Sequence, residues 1–576
     1  MIKLFNMSEK IEKKKRVYFS EELRVESWSD LEKVLKEMLE AEILSADNLI
    51  KFIEKYSELS NILEEVGAWK HIKMTQFADD PKLAKEQADF YEFVIAPATP
   101  YFFKLDKKIF ENEFFGKLSP ERYAHLGKIL QNEIKLFREE NIPLFVKENE
   151  LSNKYGAIYS QLTVEFEGKE KTLEEMSLVL KDKDREKREK AWRLVQNKML
   201  EKREEFEKLF DKLKSLRVQI AQNAGFDNYR DFAHQAAGRF DYTPEDLYEF
   251  HNSVEAVVLP ALEKINEKRK MILGVETLRP WDMSVDLDGE ILKPFSDTQE
   301  LLSGAIRILE RIKPEFANKL RLMSENGFLD LDNRKGKAPG GYSYPLNETG
   351  ADFIFMNAVG VQTDVQTLLH ESGHALHAFA VSEEKIVQYQ NSPSEVGELA
   401  SMSMELFILD YLNEFYKKDI DVKKAKREHL EEVLSLLPKV MVGDAFQHWI
   451  YLSSEHSAKE RDEELARLKN RFTTGVDWSG LEKEKEISWL RVLHFFELPF
   501  YYIEYAISQL GAIALYKHFK ENPKKAIEGY ENFMKLGYSK SVPEIYEVAG
   551  IKFDFSKEYL KEMVDFIVGE LKGLDK

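Results

Sequence analysis

A mostly α-helical fold is predicted by three features of this 576-residue chain. Apolar residues recur at spacings of three and four through most of its length, as on one face of a helix. Strand-like patterns are confined to two short places. The stretch richest in chemically capable side chains, Asp364 to Ala378, is itself helical in pattern.

Residues 1–20 read as a charged lead, with Glu9 to Arg16 nearly all charged. From Trp28 to about Phe137, the sets Leu31-Leu35-Leu39, Phe52-Tyr56-Leu59, Tyr91-Phe93-Val94 and Leu126-Ile129-Leu130 predict successive amphipathic helices. This segment reads as packing architecture. Ile158 to Leu173 alternates around Glu167-Gly168 and predicts a β-hairpin. Thr172 to about Asn223 predicts a helix, with Lys181 to Lys190 as a solvated mixed-charge face. Helices are predicted again from Pro244 to Leu273 and from Ser296 to Ser324. Arg334 to Pro345 is a glycine-rich loop lacking the Lys-Ser/Thr ending of a phosphate loop, which argues against nucleotide binding. Asp352 to Asn357 predicts a short strand just before the Asp364 stretch. No internal repeat or low-complexity linker is present.

Composition narrows the function. With 43% hydrophobic and 32% charged residues, there is ample material for a sizeable core. A net charge of −19 argues against sequence-independent nucleic-acid binding, which needs a basic surface. The chain has no cysteine, so neither disulfides nor thiolate metal ligands can form. Met1 to Met7 lacks an apolar core of signal-peptide length, and no apolar run has the ~18 residues a membrane helix needs. A cytoplasmic protein without membrane spans is expected.

Asp364 to Ala378 contains His-Glu-x-x-His: His370, Glu371 and His374. On a helix, side chains four apart share a face, with the two imidazoles about 6 Å apart along the axis. Such a pair can hold one Zn²⁺ while a third protein ligand and a water complete a tetrahedron. Glu371 adjoins the first ligand, where its carboxylate can serve as base towards that water. Thr363 or Asp364 is the expected N-cap. Gly373 is a costly interior helix residue, by roughly 1 kcal/mol against alanine, and suggests that another backbone comes close.

The third ligand is not a histidine ten residues after His370, because that position is Ala380. Ser394 to Leu406 has helical character and places Glu395, Glu398 and Glu405 on one face. Glu398, among Gly397, Leu399 and Ala400, is the expected ligand. Glu395 and Glu405 then either support the ligands or face water. His377 either orients a ligand or is a core histidine.

These residues resemble the oligoendopeptidase F family, relatives of thimet oligopeptidase. The likeness extends to Asp184-Arg185-Glu186, Lys190-Ala191-Trp192, Asn223 to Phe232 and Gly341-Tyr342-Ser343. It continues through Gly397 to Ser401, Ala445 to His448 and Phe500 to Ala506, and so covers roughly residues 150–560. The resemblance implies a mostly α fold: a two-lobed helical body with a deep central channel and a small β-sheet beside the zinc helix. It implies an N-terminal helical region over 1–200 and a catalytic region over 201–576. It supports Glu398 as third ligand and one Zn²⁺ per chain. In related peptidases a strand like 352–357 flanks the cleft. An exposed edge there would pair with an extended substrate; a turn and a buried strand fit the sequence as well.

Trp489 to Ala506 carries His494, Tyr501, Tyr502 and Tyr505. By themselves these aromatics read as core. The resemblance gives His494, Tyr505 and, to a lesser degree, Tyr501 a share in stabilising the oxyanion. Their spacing departs from that of better-known relatives, which leaves individual roles open. Pro499 should place His494 in a turn before the tyrosine helix. His448 reads as structural or as cleft wall. The function expected is a zinc-dependent endopeptidase of short peptides. A metallocarboxypeptidase, a non-catalytic peptide-binding scaffold and a hydrolase of non-peptide substrates are the alternatives. Oligomeric state is not legible.

Overall fold

The computed structural model describes residues 11, 13–285, 287, 291–334 and 336–575. The reading of Met1 to Met7 lies outside them. The chain is mostly α-helical, with a two-stranded and a three-stranded sheet among the described residues. No described helix is long and apolar enough to cross a membrane.

The chain divides into two compact units, each drawn from three stretches. The first comprises residues 1–142, 293–422 and 511–553; the second comprises 143–292, 423–510 and 554–576. Residue 200 lies inside the uninterrupted helix Arg185–Asn223.

Most predicted helices form, and their breaks have local causes. Pro244–Leu273 is a single helix, opened by Thr243 and Asp246 in a capping box and closed by Gly274 in the left-handed conformation. The helix expected over 172–223 is two, Leu173–Val179 and Arg185–Asn223, because Asp184 caps the second by accepting from the amides of Glu186 and Lys187. The helix expected over 296–324 breaks where Pro314 cannot donate, giving Thr298–Ile312 and Pro314–Glu325. Phe93 does not join the buried face expected of it: a π-turn at Tyr91–Ile95 shifts the register, so Val94 is buried and Phe93 exposed.

The predicted hairpin is β1 (Thr163–Phe166) paired antiparallel with β2 (Lys169–Thr172), in the second unit. The first unit holds β3 (Leu329–Asp332), β4 (Tyr342–Leu346) and β5 (Ala351–Ala358), in the order β3-β5-β4. The strand expected at 352–357 is therefore central, and its edges are both taken. Ile354 pairs with Ser343 of β4 on one side, and its N–H donates to Phe328 O, just before β3, on the other. It offers no edge to a substrate. Pro345 lies instead on the outer strand β4, where its missing N–H costs no ladder bond.

One face of this sheet, with Phe353 and Phe355, packs on Ala68 and Ile72 of the helix Ala46–Gln76. The strand β5 also packs along the helix Gln362–Val381, which carries the His-Glu-x-x-His motif. The glycine-rich loop before β4 is fastened to the end of helix Ala46–Gln76: Ala78 N–H donates to Gly336 O and Ala338 N–H to Thr75 O. Gly336 has φ +82°, and a Cβ there would lie 2.7 Å from the Asp79 carboxylate.

Candidate active site

The motif helix begins two to three residues earlier than its expected caps. Val361 is the N-cap residue, and Asp364 sits inside the first turn. Its Oδ2 accepts from the amides of Val359, Gly360 and Val361 at 2.8, 2.8 and 3.0 Å. The carboxylate thus caps by reaching back, as the second half of a capping box does.

Gly373 is explained by the helix Ser394–Phe407. A Cβ at Gly373 would sit 2.6 Å from Ser401 Cα and 2.8 Å from Ala400 O. Both are backbone atoms of the helix that carries Glu398, so only glycine permits this approach. Two tyrosines also hold that helix: Tyr530 OH donates to Ala400 O at 2.8 Å and Tyr546 OH to Glu395 O at 3.0 Å.

The close approach brings the three expected ligands together. His370 Nε2 is 3.4 Å and His374 Nε2 3.7 Å from Glu398 Oε2. One donor atom from each of His370, His374 and Glu398 lies within 4.8 Å of the other two. Donors at about 2.0–2.2 Å from one tetrahedral ion stand roughly 3.3–3.6 Å apart. Two imidazoles and a carboxylate, with no thiolate, suit a borderline divalent ion such as Zn²⁺. The residues fit a metal.

Around this set, Glu405 Oε1 is 2.6 Å from His370 Nδ1, leaving Nε2 for the metal. Of the two roles open to Glu405, support of a ligand is the one the structure gives. Ser401 Oγ donates to Glu398 Oε2 at 3.1 Å. Burial opposes protonation of His370, yet Glu405, Glu398 and Glu371 outweigh it and raise its pKa to about 10. Burial lowers the His374 pKa to about 4. Burial, with Glu398, Asp352 and Glu405 adding to it against His370, raises Glu371 to about 7. Truncation of Glu405 to alanine is expected to weaken metal binding about 10- to 100-fold, measured by titration calorimetry on the refolded metal-free protein.

His377 is a core histidine. It is buried, its Nε2 lies 3.2 Å from Ser392 Oγ, and burial pushes its pKa down to about 3. Asp352 is a site neighbour that sequence reasoning missed. It is buried on β5, accepts from Ser343 Oγ at 2.6 Å, and has its pKa raised to about 7 by burial. Its signal was a lone acid in the otherwise apolar run Ala351 to Met356.

In the second unit, His494, Tyr501 and Tyr505 form one cluster. His494 Nε2 is 3.2 Å from Tyr505 OH. The His494 ring stacks on Tyr501 at 5.8 Å, and the Tyr501 and Tyr505 rings are 5.4 Å apart. His494 lies in a short helix, Leu493–Glu497, not in a turn; the turn follows it, around Pro499, before the helix Tyr502–Glu521. Gly443 makes room for Tyr502, whose ring carbon would be 2.5 Å from a Cβ there. His448 is structural: its Nε2 is 3.3 Å from Asp444 Oδ2, which also receives His251 Nε2 at 2.8 Å, and all three are buried.

The fold and the His/His/Glu cluster fit a metallopeptidase, and comparison with known proteins agrees. The profile of Peptidase family M3 matches residues 178–565, and the chain belongs to that family. It is 24% identical to the plasmid oligoendopeptidase F of Lactococcus lactis subsp. cremoris, over 92% of this chain and 90% of the relative. An oligoendopeptidase F homolog of Borreliella burgdorferi is 25% identical, over 88% of each chain. The solved structure of PZ peptidase A with an inhibitor superposes with a TM-score of 0.91 at 27% identity, covering 96% of this chain and 98% of that one. The chain is a peptidase.

Proposed function

We propose that this peptidase is a zinc-dependent endopeptidase that cleaves internal bonds of short peptides. The observation that carries the reading is the convergence of His370, His374 and Glu398 on one point, with Glu371 on the same helix. The names of its relatives support oligopeptides as substrates. When bound, the metal supplies Lewis acidity, acidifying a water and polarising the scissile carbonyl. Glu371 takes the proton from the attacking water and delivers it to the leaving amine. Glu405 holds the His370 ring in the tautomer that binds. Tyr505, Tyr501 and His494 donate hydrogen bonds to the oxygen on which charge develops. A cytoplasmic location belongs to this reading.

The test is digestion of a mixed peptide library, with and without chelator, read by mass spectrometry. Internal cleavage that stops with chelator and returns with Zn²⁺ is expected. Single-residue trimming from the C-terminus would identify a carboxypeptidase, and peptide retention without products a binding scaffold. Tyr505→Phe is expected to lower kcat by about 10²-fold with KM little changed, in steady-state assays on a quenched fluorescent peptide.

A further inference from the structure

The segment between the helices that carry His494 and Tyr505 has an unusual backbone. Phe500 has φ +66°, one of two positive-φ non-glycine residues among those described. The other, Glu167, sits at the exposed tip of the β1–β2 hairpin. Phe500 is buried, its ring within 5.6 Å of those of His448 and Tyr451. A bulky residue avoids this left-handed region unless its surroundings impose it.

Both backbone polar groups of Phe500 are held by buried side chains. Its N–H donates to Gln447 Oε1 at 2.7 Å. Its carbonyl accepts from Arg239 Nη2 at 2.5 Å. The same nitrogen donates to Glu504 Oε1 at 2.7 Å, in the first turn of the helix Tyr502–Glu521. Arg239 and Glu504 are 1% and 5% exposed at their side chains, so this is a fully desolvated ion pair. Such a pair is weak evidence for stability, because an apolar replacement often serves as well; a geometric role is its better-attested use. Each residue that Arg239 grips immediately precedes a tyrosine of the cluster: Phe500 precedes Tyr501, and Glu504 precedes Tyr505.

We propose that Arg239 is a positioning residue for the peptidase reaction, clamping the left-handed turn at Phe500 to the first turn of the next helix so that Tyr501 and Tyr505 meet His494. The proposal rests on the reading in which these three groups act on the scissile carbonyl. Arg239 touches neither substrate nor metal in this scheme. It fixes where two hydroxyls stand. The guanidinium suits the task because one nitrogen bridges a carbonyl and a carboxylate in a rigid geometry.

The test uses the metal-loaded, full-length enzyme with Arg239→Met, Arg239→Lys, Phe500→Gly and Phe500→Val. Arg239→Met is expected to lower kcat about 10- to 100-fold while KM stays within about twofold, and Arg239→Lys to recover part of the loss. The Phe500 pair separates geometry from packing. Glycine accepts a positive φ and loses the ring, whereas valine keeps more volume and resists that φ. Higher kcat in Phe500→Gly than in Phe500→Val supports the clamp; the reverse order, which packing alone gives, overturns it. This comparison stands even where Arg239→Met fails to fold. Nuclear magnetic resonance of the His494 ring, assigned with His494→Gln, reports the cluster independently of turnover. Displaced ring signals with unchanged kcat in Arg239→Met uphold the clamp and refute the oxyanion role. Wild-type ring signals together with wild-type kcat overturn the clamp.

Discussion

Glu371→Gln is expected to keep its metal and to lose turnover by about 10²–10⁴-fold, the usual worth of a positioned general base. The amide is isosteric with the acid and cannot take a proton from water. The ligands His370, His374 and Glu398 are untouched, so metal content measured by emission spectrometry should match that of the wild type. Comparable turnover in the metal-loaded variant would remove Glu371 from the mechanism. The pH profile of the wild type carries the same information. Glu371 must be ionised to act, and burial lifts its pKa to about 7. A bound cation beside it pulls the value down again. The acid limb of kcat/KM should therefore lie below about 7, with activity falling as pH drops through it.

Gly373→Ala is expected to cost about 3 kcal/mol or more of stability, at the upper end for overpacking, and to weaken metal binding at the same time. The added methyl meets Ser401 Cα at 2.6 Å and Ala400 O at 2.8 Å. Backbone of a packed helix cannot rotate aside as a side-chain tip would. Relief requires the helices Gln362–Val381 and Ser394–Phe407 to separate, and that carries Glu398 away from the two imidazoles. Urea unfolding and metal titration of the same sample would show both losses. A variant that keeps its midpoint and its metal would mean the two helices have slack that the structure does not show.

The convergence of His370, His374 and Glu398 was legible because its information is local. His370 and His374 are one helical turn apart, and Glu398 stands in a stretch whose own period puts its carboxylates on one side. Gly373 could be read as a point of close approach, since nothing else offsets its cost in a helix. The partner of that contact could not be read. Ser401 comes near only through tertiary packing, which leaves no mark on the spacing of either helix. The strand 352–357 is legible as a strand, but the choice between an exposed edge and a buried strand is not, because sheet order is fixed by β3 and β4 and not by the strand's own residues. Residue type alone offers Thr363 or Asp364 as the cap, and Asp364 caps from inside the first turn. Its reach back to three amides depends on the path of Val359 to Val361. Phe93 left the buried face that Val94 keeps, through a single inserted π-turn, which a 3.6-residue period does not anticipate. The clamp on Phe500 was invisible for the same reason as the Gly373 contact: Arg239 lies more than 250 positions from the turn it holds.

The order in which the chain is made has a consequence for when this peptidase becomes able to cut. The first compact unit needs residues 511–553, and both tyrosines that brace the Glu398 helix, Tyr530 and Tyr546, come from that last stretch. A ribosome that has already released both histidines and the glutamate has not yet supplied these braces. Domains complete themselves as units during synthesis. Completion of the Glu398 site is thereby expected to wait until residues 511–553 have emerged, and chains that stop short of them are expected to lack both braces.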